Sequence, residues 1–320
     1  MLQQAWHERT DDRFAVEAVD LVKDFGETRA VDGVTLAVPP GSIYGLLGPN
    51  GAGKTTTLRM LIGIIDPSSG TRRVLGRERP LEAAPEVGYL PEERGLYPAM
   101  YAREAIAFMG ALRGLPIAEG RRRADELLDE HDLGDWARKP IRSLSKGMAQ
   151  TVQLLGTIIH KPRLIVLDEP FSGLDAINQA RLEELIRSEA RAGATVIFST
   201  HVIAHAERLC ERIAIVAKGK VVFDGSVAEA RGRLRPIVRL RTRAEDGPWR
   251  SAIPAGARRE GSDLVFELPE GGPEPLLKAL IDGGAGIEAL SIERPGLHDA
   301  FVAIAGEAAA AAMARPGPVE

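Results

Sequence analysis

The chain has 320 residues, of which 44% are hydrophobic and 27% charged, the balance of an ordinary globular protein of about two domains. Its 34 glycines and 21 prolines favour many turns and argue against a fibrous or coiled-coil protein. The formal net charge is −4, so nucleic acid would need a local basic patch to bind. The single cysteine, Cys210, excludes a disulfide within the chain, and we interpret it as a small apolar residue on a helix.

The N-terminal segment bears on where the protein works. Residues 1–20 are charged and lack the apolar stretch of a signal peptide. No segment of the chain approaches the roughly 20 apolar residues that a membrane-spanning helix needs. We therefore expect a cytosolic protein that reaches a membrane only through a partner.

The first half of the chain reads as strands followed by helices. Apolar runs separated by Gly, Pro and Asp predict strands at 15–22, 31–38 and 42–48. An amphipathic helix over 55–65 follows the third strand and stops at Asp66–Pro67. Residues 98–160 carry apolar side chains at three- and four-residue spacing, which predicts a mainly helical segment.

Two unbroken apolar runs in the second half have the length of buried parallel strands. They are LIVLDEP at 164–170 and TVIFSTH at 195–201, and the residues between them form a helical pattern. Strand, helix and strand in this order predict a βαβ unit. A hairpin over 212–225 and a helix over 226–234 follow.

The composition changes around 232–236. Beyond that point strands are predicted at 236–243, 257–260, 263–269 and 287–295, with a short helix after the first strand and a longer helix over 273–284. This order predicts a small α/β domain over residues 236–306. The Ala-rich remainder, 307–320, is predicted to be a flexible tail.

A glycine-rich segment carries the first chemical signal. Residues 48–55 match the pattern G-x-x-x-x-G-K-[ST], directly between a strand and a helix. Glycines let successive backbone N–H groups converge on phosphates, and the helix N-terminus adds its positive dipole. Lys54 would neutralise the β- and γ-phosphates of a nucleotide, and the Thr55 hydroxyl would ligate Mg²⁺. The predicted loop consists of Gly48, Pro49, Asn50, Gly51, Ala52, Gly53, Lys54, Thr55 and Thr56.

The strand at 164–170 supplies the acidic counterpart of this loop. It ends in two carboxylates, Asp168 and Glu169. We expect Asp168 to lie near Mg²⁺ and Glu169 to polarise an attacking water.

Together with five further segments, these motifs make residues 14–230 resemble the ATP-binding cassette (ABC) ATPases. Residues 144–150 (LSKGMAQ) resemble the signature motif of that family. The resemblance implies that Ser145 and Gly147 contact the γ-phosphate of ATP held by the opposing subunit. Residues 172–176 resemble the D-loop, which implies that Asp175 crosses the dimer interface.

Three more positions match the family. Residues 199–201 resemble the switch region, which implies that His201 senses the γ-phosphate and holds the catalytic geometry. Residues 89–97 occupy the position of the Q-loop. Phe25 stands where the family keeps an aromatic residue that stacks on adenine.

The sequence departs from the family pattern at three positions. Glu92 replaces the Q-loop glutamine, so a carboxylate would approach Mg²⁺ and the attacking water. In the signature, Lys146 replaces the first glycine and Met148 the usual glutamine. These departures resemble bacterial sodium-extrusion-type (NatA-like) ABC ATPase subunits, which carry a C-terminal extension of similar size. Residues 296–307 resemble the closing helix of that extension.

The resemblance implies a specific architecture and function. The fold would be an α/β P-loop ATPase core, an ABC ATP-binding domain over 14–232 with a helical subdomain at about 92–162, plus the small C-terminal α/β domain. The cofactors would be ATP and Mg²⁺. The chain would be the ATP-hydrolysing subunit of an exporter, pairing with a second copy or another ATPase subunit. Separate integral-membrane permease subunits would hold it at the inner face of the cell membrane.

Other functions fit the sequence less well. A soluble ABC mechanoenzyme acting on ribosomes or DNA would carry two cassettes or long heptad coiled coils, and neither is present. A nucleotide-binding regulator without turnover would not need both Glu169 and His201. The arginine-rich stretch 231–259 invites a nucleic-acid interpretation, but Arg239 and Arg241 alternate with apolar residues as on a strand with one solvated face, and no aromatic residues are interleaved.

Overall fold

A computed structural model describes residues 13–93 and 95–313, with side chains up to Glu307. The described chain divides into two compact units. The first contains the residues up to Ser226 together with those from Ala305 onward, and the second is Val227–Ile304. Residues 1–12 and 314–320, which include the N-terminal segment and part of the predicted tail, lie outside the described residues.

An antiparallel sheet opens the first unit. Its strands are β1 (Val16–Phe25), β2 (Thr28–Val38) and β4 (Ser69–Val74). β1 lies in the middle, and Phe25 pairs with Thr28 where the β1–β2 hairpin turns. The apolar residues of β1 and β2 alternate because only one face of this sheet packs against the core.

A six-stranded sheet lies at the centre of the same unit. Its strands are β3 (Ile43–Leu47), β5 (Val87–Leu90), β6 (Leu164–Leu167), β7 (Thr195–Thr200), β8 (Arg212–Ala217) and β9 (Lys220–Ser226). The order is β5-β6-β7-β3-β8-β9, parallel except for β9. β6 and β7 are fully buried along their length, which explains their unbroken apolar sequence. The carboxyl ends of β3, β6 and β7 therefore meet at one edge of the sheet.

Six α-helices, counted among the described residues, complete the first unit before the chain leaves it. They are α1 (Lys54–Leu61), α2 (Ala102–Ala111), α3 (Ile117–Glu130), α4 (Lys146–Ile158), α5 (Ala176–Arg191) and α6 (Ile203–Leu209). α2 packs against α3 and α4 within the segment predicted to be helical. α5 connects β6 to the adjacent parallel strand β7, so the predicted βαβ unit is confirmed.

Three local predictions for this unit were wrong or incomplete. The helix predicted over 55–65 ends at Leu61, because Gly63 adopts a left-handed backbone (φ 81°) and terminates the helix. β4 was not predicted, since only its last residue is buried and its sequence is polar. β5 was missed because four residues are too few to show a periodicity.

The second unit is a helix-backed antiparallel sheet. Its elements are α7 (Val227–Gly232), β10 (Ile237–Thr242), β11 (Arg258–Glu260), β12 (Asp263–Glu267), α8 (Pro273–Asp282), β13 (Ile287–Glu293) and the start of α9 (Leu297–Met313). The strand order is β11-β12-β10-β13. Trp249, Phe266 and Leu280 form its core with neighbouring apolar residues.

The unit boundaries differ from the predicted domain boundaries at two places. α7 groups with the second unit, whereas residues 227–232 were predicted to belong to the first domain. Residues 307–313, which belong to the predicted tail, continue α9. An alanine run favours helix strongly, which explains the continuation.

Two side-chain interpretations bear on the fold. Cys210 is buried, and burial raises the pKa of its thiol, as expected for a structural residue. Arg239 pairs with Glu260 at 2.8 Å and Arg241 with Asp263 at 2.7 Å, so the arginine-rich face carries its own counter-charges. None of the helices described between residues 13 and 313 is long and apolar enough to cross a membrane.

Candidate active site

The predicted phosphate loop connects the end of β3 to the start of α1. Gly53 has a left-handed backbone (φ 99°), and a Cβ there would lie 2.5 Å from the carbonyl oxygen of Ala30. A Cβ on Gly48 would lie 2.4 Å from the carbonyl oxygen of Val216. Glycine is therefore required at both positions by the close approach of neighbouring backbone.

The rest of the loop presents its tip to solvent. Pro49, Asn50 and Gly51 are exposed, whereas Ala52 is buried and Thr56 is half-buried at the first turn of α1. A backbone hydrogen bond holds the loop in place, since the Gly219 amide donates to the carbonyl oxygen of Ala52 at 3.0 Å. The free N–H groups at a helix N-terminus and an exposed glycine-rich tip together suit a phosphate group.

Lys54 extends back along this loop. Its Nζ donates to the carbonyl oxygens of Gly48 and Pro49, at 2.8 and 3.2 Å. It also forms an ion pair with Oε1 of Glu169 at 3.1 Å, and both side chains are buried. The ammonium group therefore already lies at the loop, where carbonyl and carboxylate oxygens hold it as phosphate oxygens would.

Asp168 lies beside the first turn of α1. Its Oδ1 accepts hydrogen bonds from the hydroxyls of Thr55, at 3.0 Å, and Ser199, at 2.6 Å. The backbone N–H of Asp168 donates to the carbonyl oxygen of Leu90 at 2.9 Å, which links the end of β5 to the same point. The structure therefore brings together Thr55 and Asp168, two of the three residues that the sequence predicts for Mg²⁺; the third is Glu92.

The donor set fits a hard divalent cation. Oδ2 of Asp168 is buried and accepts no hydrogen bond from any residue that the structure describes. Among the residues that the structure describes, no group of three or more His, Cys, Asp or Glu side chains is arranged to hold a metal ion without further ligands. Magnesium suits such a site, since it prefers one or two protein oxygens supplemented by water and nucleotide phosphates.

Glu169 and His201 are in direct contact. His201 Nδ1 lies 3.0 Å from Oε2 of Glu169, and the Glu169 carboxylate is 8% exposed while the His201 side chain is 45% exposed. Glu169 has a left-handed backbone (φ 46°), an uncommon conformation for a residue with a side chain. The carboxylate therefore sits between the loop lysine and a histidine that reaches solvent.

Ser199 is a candidate site residue to which the sequence interpretation assigned no role of its own. Its hydroxyl donates to Asp168 and accepts from the backbone N–H of Glu169 at 2.9 Å, so it fixes both acidic residues. The available signal was a serine at the penultimate position of an apolar strand, two residues before the predicted switch histidine. A buried hydroxyl at such a position needs a polar partner.

Phe25 and Glu92 are placed at the periphery of this group. Phe25 is 49% exposed at the β1–β2 turn, with the Lys23 ammonium 5.3 Å from its ring centre. β2 leads from this turn to Ala30, whose carbonyl touches the phosphate loop. Glu92 is exposed just after β5, two residues beyond Leu90. Neither residue forms a hydrogen bond to Lys54, Thr55 or Asp168 within the described chain.

The remaining predicted residues form a second group. Ser145 caps α4 by accepting from the Met148 N–H at 3.2 Å, and Asp175 caps α5 by accepting from the Asn178 N–H at 2.9 Å. That backbone hydrogen bond lowers the pKa of Asp175. A Cβ on Gly147 would lie 2.6 Å from Asn178 Nδ2, so the two caps pack together. For the residues described, no hydrogen bond or ion pair joins this group to the phosphate loop.

Comparison with known proteins identifies relatives that cover most of the chain. A family model described as ABC transporter matches residues 31–172. The uncharacterized ABC transporter ATP-binding protein YhaQ of Bacillus subtilis is 35% identical over 284 residues, 88% of this chain and 95% of that protein. The daunorubicin/doxorubicin resistance ATP-binding protein DrrA of Streptomyces peucetius is 36% identical over 240 residues, 74% of this chain and 72% of that protein.

A solved structure agrees with these relatives. It is an ATP-binding subunit of an ABC transporter, with a TM-score of 0.63 and 32% identity, covering 68% of this chain and 92% of its own. The same family is indicated by the motifs, by the P-loop architecture and by the similarity along nearly the full length of YhaQ. The chain belongs to the ATP-binding, ATP-hydrolysing subunits of ABC transporters.

Proposed function

We propose that Glu169 polarises the water that attacks ATP, and that Lys54 and His201 hold its carboxylate for this role. The supporting observation is the buried carboxylate held at 3.1 Å from Lys54 and 3.0 Å from His201. Phosphoryl transfer depends mainly on positioning and charge, so a fixed carboxylate beside a phosphate loop is suited to orient the nucleophile.

The loop residues supply binding in this proposal. Lys54 exchanges its backbone acceptors for the β- and γ-phosphates, and the backbone N–H groups of residues 50–56 surround the phosphates. The exposed ring of Phe25 stacks on adenine.

Thr55 and Asp168 would hold Mg²⁺, and Glu92, which follows β5, would approach the same ion. When bound, the cation would supply positive charge against that of the phosphates. Ser199 keeps Asp168 and Glu169 in fixed relation because its hydroxyl bonds to both.

We further propose that the complete site forms between two subunits. The group containing Ser145, Gly147 and Asp175 has no bond to the phosphate loop in the described chain, yet both groups carry motifs for one nucleotide. Ser145 and Gly147 of one subunit then contact the γ-phosphate on the other, and Asp175 lies at the interface. Lys146 brings an additional positive charge to that contact.

Variants of Ser145 test this arrangement. Ser145→Trp leaves ATP affinity of the single subunit within about twofold, since the loop is untouched, but prevents ATP-dependent dimerisation. Nucleotide titration and light scattering measure the two quantities separately, with Ser262→Trp, an exposed serine of the second unit, as control. Loss of ATP affinity in Ser145→Trp would place the signature and the loop in one subunit and contradict the proposal.

The pair of ATPase subunits works, in our proposal, as an exporter module on the cytoplasmic face of integral-membrane permease subunits. Glu92, Lys146, Met148 and the domain after residue 236 favour the sodium-extrusion-type group. The likeness to DrrA favours an organic cargo such as a drug. Co-expression of this chain with the multi-span protein of a neighbouring gene distinguishes the two cargoes. Sodium export predicts that the cells tolerate more sodium, whereas drug export predicts that they tolerate more of the drug.

A further inference from the structure

A buried cluster of aromatic and charged side chains lies behind the Glu169–His201 pair. At its centre, His205 of α6 is 3% exposed. Its ring stacks on that of Phe171, with centres 3.9 Å and planes 9° apart. Phe171 in turn meets Phe198 of β7 edge to face, with centres 5.8 Å apart. The ring of His205 is thus one member of a packed aromatic row.

Charged groups hold the Nδ1 edge of the same ring. Nδ1 of His205 lies 3.0 Å from Oε1 of Glu183 on α5 and 2.9 Å from Nη2 of Arg208. Arg208 also donates from Nε to both oxygens of Glu183, at 3.0 and 3.2 Å. Burial alone would raise the pKa of Glu183, but its hydrogen bonds with Arg208 and His205 outweigh burial and lower that pKa. Glu183 therefore remains a charged anchor for the ring.

The stack connects the two segments that carry the catalytic pair. Phe171 follows Glu169 by two residues, and His205 lies on the helix that begins two residues after His201. The left-handed backbone of Glu169 is disfavoured for a residue with a Cβ, so neighbouring contacts must maintain it. Phe171, two residues beyond Glu169 along the chain, is held in place by its ring contacts with His205 and Phe198.

We propose that His205 is a positioning residue whose stack on Phe171 sets the contact between His201 and Glu169. The inference rests on the proposed role of that pair. His205 itself does not touch the nucleotide site: its partners are Phe171, Glu183 and Arg208. Its effect therefore falls on the rate of hydrolysis and not on nucleotide binding.

The test compares three variants of the full chain. His205→Leu keeps apolar volume but removes the planar ring, and we expect kcat to fall about tenfold with KM for ATP unchanged. His205→Phe keeps a stacking ring, and we expect kcat within about threefold of the native chain. Ala204→Ser, on the exposed side of the same helix, serves as control. Rates are expressed per folded site, counted by bound nucleotide below the melting temperature of each variant.

Two outcomes would overturn the proposal. One is an unchanged kcat per folded site in His205→Leu, even with a lower melting temperature, since that combination marks a purely structural role. The other is an equal loss in the Leu and Phe variants, since stacking would then not be the cause. A separate measurement tests the proposed role of Glu169 and His201 itself. If that role is wrong, Glu169→Gln and His201→Ala will hydrolyse ATP at the native rate.

Discussion

Replacing Glu169 by Gln tests the proposed catalytic base most directly. The amide has the shape of the carboxylate, so the contacts at 3.1 Å to Lys54 and 3.0 Å to His201 keep their geometry while the negative charge is lost. A positioned general base contributes about 10²–10⁴-fold to a rate. We therefore expect hydrolysis to fall by at least about 100-fold, equivalent to roughly 3 kcal/mol of barrier.

ATP binding responds in the opposite direction to hydrolysis. In the native chain Lys54 must leave a buried carboxylate to meet the phosphates, and Glu169 repels the same phosphates. Removing that charge leaves Lys54 with neutral acceptors alone, namely the amide oxygen of the introduced glutamine and the two backbone carbonyls. We expect ATP affinity to be unchanged or to rise by up to about tenfold, a gain of about 1.4 kcal/mol.

Steady-state phosphate release, nucleotide titration and light scattering measure these effects together. The variant should bind ATP, fail to turn it over and accumulate as a dimer. Glu93→Gln, an exposed acid on the segment after β5, is the matched control and should change the rate by less than about twofold. Hydrolysis by Glu169→Gln above about a tenth of the native rate would refute the reasoning and make Glu92 the first alternative base.

Two further outcomes follow from buried groups of the first unit. Lys54→Ala removes the buried ammonium of the loop, and we expect ATP affinity to fall roughly 100-fold in a fluorescence titration. The control Lys278→Ala, at an exposed lysine, should leave ATP affinity unchanged. Near-native affinity of Lys54→Ala would show that Lys54 does not bind the phosphates. Burial lowers the pKa of His160 from 6.5 to about 4, so between these values the unfolded chain binds a proton that the folded chain does not, and stability falls as pH falls through this window. The melting temperature of His160→Gln should therefore decrease less than that of the native chain between pH 6.5 and 4, and equal slopes would contradict the assignment.

Local sequence was sufficient for the parts of the site that are contiguous in the chain. The phosphate loop was predictable because its glycines, lysine and threonine act together within one turn between a strand and a helix. The buried strands ending at Leu167 and Thr200 were predictable because fully covered parallel strands have unbroken apolar sequences. Short or polar strands such as β4 and β5 were not, because their positions depend on neighbours distant in the chain.

The contacts between segments belong to tertiary structure. Ser199 bonds to Asp168 and Glu169 only because β7 lies next to β6 in the sheet, an order that no local pattern encodes. The stacking of His205 on Phe171 likewise requires α6 and the segment after β6 to meet. The sequence by itself thus determined which chemical groups are present and on which elements they lie, through periodicity and spacing. Tertiary structure alone decided their distances and partners, because those depend on which strands become neighbours when the sheet forms.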